Sequence, residues 1–250
     1  MEPSVAIMHD WCTIVHMLPG NTVGSLSAQQ HAILVGSLLG DGTLRRQGTR
    51  TNALFEVNHS VAFREYVDWK YEHFQEYVLT PPHSRRGNGK RVAYRFTTRS
   101  LPPFTEYYER FYVNGRKQLP KELKLNPLIL AVWFMDDGAR SRSALYLNTQ
   151  QFALHEQRLL QRLLKETFGI ESNLNCDRHY RRIRITTASS VIFRKIIDPH
   201  ILPCFRYKCI YDPVTTDPKG EGLCYEHRPR RRFLPPQNQI KVNDLRSMAG

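Results

Sequence analysis

The sequence predicts an α+β protein made of two copies of one unit, and three observations carry that expectation. Two short apolar segments, LVGSLLGDGT at 34–43 and LAVWFMDDGA at 130–139, each read as a helix that halts at Asp-Gly. A β-rich stretch, a helix and further strand-forming residues follow each of them in the same order. RFTTRSLPPF at 95–104 also recurs as RITTASSVIF at 184–193, an offset of 89 residues, while Asp41 and Asp137 lie 96 apart and FEVNHS matches YLNTQQ at about 90. Three matches in one order are much harder to obtain by chance than one.

Residues 1–25 read as an irregular extension, with Pro, Gly and Asn toward their end. The first unit is expected over 26–125, the second over 126–212, and a basic Pro/Arg-rich tail over 213–250. The first helix opens at Ser27, where Ser-x-x-Gln forms a capping box, and stops at Gly40 and Gly42. TLRRQGTRTNALFEVNHS then predicts strands, VAFREYVDWKYEHFQEYV a helix, and RRGNGKRVAYRFTT a hairpin turning at Gly-Asn-Gly. In the second unit Asn126 caps a helix with Pro127 at its first position, ending near Gly138. RSRSALYLNTQ, LHEQRLLQRLLKETFG and NLNCDRHYRRIRITTAS predict strand, helix and strands again.

A helix that ends on aspartate sets a carboxylate against its own negative pole, a repulsion of about 0.3–1 kcal/mol unless a cation is near. Two such ends suggest a shared cation. Paired carboxylates suit a hard divalent ion with oxygen ligands, Mg²⁺ by preference and Mn²⁺ as a substitute, and such ions promote phosphodiester hydrolysis. Each half also carries a lysine downstream of its Arg-x-Thr-Thr segment, Lys117 in VNGRKQLP and Lys208 in PCFRYKCI. These would place positive charge beside a reacting phosphate.

Lys and Arg number 36 against 23 Asp and Glu, a formal net charge of +13, which points to a polyanionic partner. No long apolar span or continuous basic amphipathic face supports a membrane role. Strand alternation puts Arg182 and Arg184 on one face and Ile183 and Ile185 on the other, and sets Arg91 and Arg95 opposite Tyr94 and Phe96. Arg45, Arg46, Arg50, Arg140 and Arg142 extend this supply, and the major groove admits a β-ribbon. The five cysteines are odd in number and irregular in spacing, favouring a reducing compartment. Cys204, Cys209, Cys224 and His227 lack Cys-x-x-Cys spacing, so idle thiols are expected rather than zinc ligands. No Lys or Arg precedes Arg45, so neither a signal nor a transit peptide is expected, and the chain should act where it is translated.

With LVGSLLGDG at 34–42 and LAVWFMDDG at 130–138, the chain resembles the LAGLIDADG homing endonucleases, in the single-chain branch with two motif copies. VLTPPH, VNGRKQLP, LNTQQF and ILPCFRYK continue the resemblance over about residues 27–210. It implies an αββαββα unit in each half, with the motif helices at the centre and two antiparallel sheets forming a saddle on double-stranded DNA. It also implies metal at Asp41 and Asp137, assisted by the backbone carbonyls of Gly40 and Asp136, with Lys117 and Lys208 as the active-site basic residues. The implied reaction is cleavage of both strands across the minor groove by a monomer, in intron homing. Two other roles use the same scaffold, a maturase binding its host intron RNA and a non-catalytic DNA-binding regulator. Both acids and both lysines are present here, which favours the nuclease. The motifs differ at Gly36 against Val132 and at Ser37 against Trp133, which predicts an asymmetric helix junction.

Overall fold

A computed structural model describes residues 25–87, 91–141, 144–177 and 180–209. By its contacts the chain divides into two units, Met1–Val214 and Thr215–Gly250, and all described residues belong to the first. The expected tail, and the expected extension up to residue 24, lie outside the described residues, as do Arg142, Cys224 and His227.

The first half runs α1 (Ala28–Leu39), β1 (Thr43–Arg46), β2 (Ala53–Ser60), α2 (Arg64–Phe74), β3 (His83–Arg86), β4 (Val92–Thr97) and α3 (Pro102–Phe111). A small ribbon, β5 (Tyr112–Val113) and β6 (Arg116–Lys117), leads to the second half. There α4 (Pro127–Asp137), β7 (Gly138–Ser141), β8 (Ala144–Leu147), α5 (Leu154–Phe168), β9 (Ser172–Asp177), β10 (Tyr180–Ile185) and α6 (Thr187–Ile197) repeat the plan. Two four-stranded antiparallel sheets result, ordered β1-β2-β4-β3 and β7-β8-β10-β9, so the halves share one αββαββα topology.

Local chemistry sets the helix starts. Ser27 Oγ accepts from the Gln30 N–H at 3.2 Å while Gln30 Oε1 accepts from the Ser27 N–H at 2.9 Å, closing the capping box. Asn126 Oδ1 accepts from the Ile129 N–H at 2.8 Å, with Pro127 in the first turn.

The repeat also shows in the core. Phe96 and Ile185 occupy matching inward positions on β4 and β10, and Phe104 and Phe193 are fully buried on α3 and α6. Burial fixes the match of β2 to β8 at an offset of 90, pairing Phe55 with Leu145 and Val57 with Leu147 on the inner faces. Laying FEVNHS directly on YLNTQQ gives 91, which would reverse every face, so the structure shifts that sequence match by one residue.

α1 and α4 pack directly on each other and are buried over most of their length. A Cβ on Gly36 would stand 2.7 Å from both the Ile129 carbonyl oxygen and the Val132 Cβ, and one on Gly40 would collide with the Asp136 Cβ. Gly36 and Gly40, one helical turn apart, therefore form a notch in α1 that Val132 and Asp136 of α4 fill. This is the asymmetric junction expected from the motifs, with small residues on one helix and large ones on the other.

Candidate active site and nucleic-acid face

The notch brings the two helix ends together. Asp41 follows the C-cap of α1, with its side chain 26% exposed, and Asp137 closes α4. Burial, with repulsion from Asp41 and Asp136, raises the Asp137 carboxyl to about 7, while Lys208 and Lys117 pull it the other way. The two sequence-predicted acids thus share one electrostatic environment.

Each sequence-predicted lysine serves the motif helix of its own half. Lys117 Nζ, on β6, donates to the Gly42 carbonyl at 2.8 Å and to the Gly40 carbonyl at 3.3 Å. Lys208 Nζ, closing the 3-10 turn Pro203–Lys208, donates to the Met135 carbonyl at 2.7 Å and to the Phe134 carbonyl at 3.3 Å. Both satisfy carbonyls left open at a helix end and oppose its negative pole. Burial nonetheless lowers the Lys117 ammonium to about 8 against the pull of Asp137, Asp136 and Asp41. The Gly40 carbonyl also accepts from Gln151 Nε2 at 3.3 Å, so this expected metal-assisting oxygen already serves two side-chain donors.

Beneath this centre lies a cluster that the sequence did not disclose. The Asp136 side chain is fully buried and accepts from Lys70 Nζ at 3.0 and 3.2 Å. Lys70, on α2, is itself fully buried, with Nζ 4.2 Å from the centre of the Tyr66 ring. Burial lowers its pKa and Asp136 opposes that shift. The Tyr66 hydroxyl donates to the Val132 carbonyl at 3.4 Å, and its pKa is raised first by burial and then by Asp136. His59 links the halves, with Nε2 3.6 Å from Asp136 Oδ1 and Nδ1 3.9 Å from Asp41 Oδ2. Gln151 crosses the other way, donating to the Leu39 carbonyl at 3.0 Å. One signal pointed here: His59 and Gln151 lie in the segments FEVNHS and YLNTQQ, whose match helped reveal the repeat.

Cross-strand register divides the expected arginines. Arg182 and Arg184 face away from the buried Ile183 and Ile185, with Asn175 and Asn173 directly opposite on β9 and Tyr146 opposite Arg184 on β8. The Arg182 guanidinium lies 4.2 Å from the centre of the Tyr146 ring. In the first sheet Arg95 has His83 and Asn58 as cross-strand partners, and Glu56 draws Arg45 to 2.7 Å and Arg95 to 3.8 Å. Arg140 departs from the expected face: half-buried on β7, it is paired with the inward Leu145 of β8, whereas Arg50 and Arg91 are exposed. Arg46 departs from the expected face: it alternates with Arg45, bonds Glu109 of α3 at 2.8 Å and lies 4.9 Å from the centre of the Tyr108 ring. Its guanidinium therefore serves the helix side of the sheet. Asn58, Asn173, Asn175, His83 and Tyr146 are additions made by the register, which the sequence alone left undetermined.

Fold and site together define a class of pseudo-symmetric α+β proteins in which two acid-terminated helices meet between sheets with arginine-bearing faces. The chain belongs to the LAGLIDADG DNA endonuclease family, whose model matches residues 31–193. It is similar to the cytochrome b mRNA maturase bI2 of Debaryomyces hansenii, 29% identical with 73% of this chain and 74% of the maturase covered. It is also similar to the DNA endonuclease I-ChuI of Chlamydomonas applanata, 28% identical with 74% of this chain and 95% of the endonuclease covered. Among solved structures, the homing endonuclease I-WcaI bound to its DNA recognition sequence has the same fold, with a TM-score of 0.70, 23% identity, and 79% and 96% of the two chains covered.

Proposed function

We propose that this chain is a monomeric, sequence-specific homing endonuclease that hydrolyses a phosphodiester bond on each strand of duplex DNA across the minor groove, with Mg²⁺ as its metal. The carrying observation is that Asp41 and Asp137 end two helices packed directly on each other, where burial and the nearby Asp41 disfavour the ionised form of Asp137, a conflict that a cation relieves.

The donor set fits a hard divalent cation. Asp41 and Asp137 offer carboxylate oxygens at the ends of two packed helices, the hard donors that such an ion prefers. A cation bound there supplies a more acidic attacking water and a counter-charge for the leaving oxygen. Asp41 and Asp137 would hold it. Lys117 and Lys208 keep the helix-end carbonyls satisfied and bring positive charge toward the phosphate. Arg45, Arg50, Arg91, Arg95, Arg182 and Arg184 would take phosphates and base edges, with Asn58, Asn173 and Asn175 suited to adenine.

The test selects cleaved sequences from a randomised duplex library with and without Mg²⁺, followed by Asp41→Asn and Asp137→Asn on the selected site. Each variant should bind the site and fail to cut both strands, and complete double-strand cleavage by both would overturn the assignment. Similarity to the bI2 maturase supports a second reading, a splicing cofactor for a host intron. Specific intron RNA binding without metal-dependent cleavage of any duplex would favour it.

A further inference from the structure

We infer that the buried Lys70–Asp136 pair is a positioning device that sets the spacing of the Asp41 and Asp137 carboxylates and takes no part in metal ligation. The inference rests on the metal-dependent reading above.

Asp136 immediately precedes Asp137, yet its side chain points into the first half of the molecule, where Lys70 Nζ spans both of its oxygens at 3.0 and 3.2 Å. Its Cβ fills the place that a side chain at Gly40 would need, so the residue is a spacer between the two helix ends. Lys70 is carried by α2, whose Tyr66 also bonds the α4 backbone at Val132. α2 thus grips α4 at two points one turn apart, through a side chain at Asp136 and a carbonyl at Val132. A third carboxylate so near Asp41 and Asp137 would compete for a cation, and Lys70 keeps it turned away. The first motif has no equivalent spacer, because its position matching Asp136 is Gly40. The brace is therefore a one-sided feature of a two-sided site.

The test uses the full chain without DNA and measures Mn²⁺ binding by the loss of the free-ion paramagnetic resonance signal, with thermal melting alongside. Asp41→Asn with Asp137→Asn is the control, and parent-like Mn²⁺ binding by that chain would remove the metal site itself. Lys70→Met with Asp136→Asn removes both charges of the pair, leaving its net charge unchanged. This chain should bind Mn²⁺ at least tenfold more weakly than the parent while melting cooperatively. Where it does not fold, Lys70→Gln with Asp136→Asn, whose shorter amide stops short of residue 136, should show the same weakening. Parent-like Mn²⁺ affinity in a folded double variant would show that the pair serves packing alone and would overturn the inference while leaving the metal site standing.

Discussion

Asp136 occupies the space that a side chain on Gly40 would need, and one turn earlier Val132 does the same for Gly36. The axis of the molecule is thus a notch and a ridge, although each half presents the same motif. Gly36→Ala should destabilise the fold by about 1–3 kcal/mol, because the obstruction includes the Ile129 backbone oxygen, which cannot turn aside. The gain in helix propensity from Gly to Ala, roughly 0.5–1 kcal/mol, offsets part of this. Gly40→Ala should cost as much, since Lys70 holds Asp136 in place. Gly87→Ala, whose Cβ would meet only the Arg91 carbonyl oxygen at 3.5 Å, should stay within about 0.5 kcal/mol of the parent. Urea denaturation at one temperature measures all three.

Asp137 predicts how stability without metal varies with pH. Its carboxyl lies near 3.8 in the unfolded chain and about 7 in the fold, so between those values the folded protein binds more protons. Stability from this group is complete below pH 3.8 and is lost as pH rises toward 7, at up to about 1.4 kcal/mol per pH unit for a full proton. With a chelator present, Asp137→Asn should flatten this fall. A divalent cation should flatten it too, by binding the ionised form.

Lys117 acts in another window. Its ammonium falls from 10.5 in the unfolded chain to about 8 in the fold, so the folded state binds fewer protons between those values and stability from this group rises with pH across them. Lys117→Met should abolish that rise. At pH 7 the lost 2.8 Å donor to the Gly42 carbonyl, about 1–3 kcal/mol, is opposed by relief of the buried ammonium. The variant's deficit against the parent should therefore grow as pH rises. Chemical denaturation from pH 7 to 10.5 checks both outcomes.

Residues that act through short-range rules could be read directly from the sequence. The Ser27 and Asn126 caps, the two Asp-Gly stops and the inward Ile183 and Ile185 each follow from spacing alone. Asp41, Asp137, Lys117 and Lys208 stood out because duplication marks them, and the structure brings all four to the paired helix ends. Lys70 and Asp136 could not be read in this way. Lys70 lies within a charged helix whose pattern suggests a solvated face, and its burial depends on a residue 66 positions away. The side of the sheet taken by Arg46 was likewise hidden, because it depends on the β1–β2 register and on the placement of Glu109.

The split between Arg46 and the outward arginines predicts different salt responses on generic duplex DNA. Each phosphate contact that is lost lowers the slope of log affinity against log salt by about 0.9. Arg182 and Arg184 stand on the same face of β10 with Asn173, Asn175 and Tyr146, so Arg184→Ala should weaken binding and reduce the slope by about one. Arg46 instead spends its charge on Glu109, an exposed pair worth about 0–1 kcal/mol. Arg46→Ala should therefore leave the slope unchanged and lower stability only slightly. Fluorescence anisotropy titrations between low and physiological salt measure the slopes. An equal fall in slope for both variants would place Arg46 at the DNA surface after all, and would require it to exchange Glu109 for phosphate on binding.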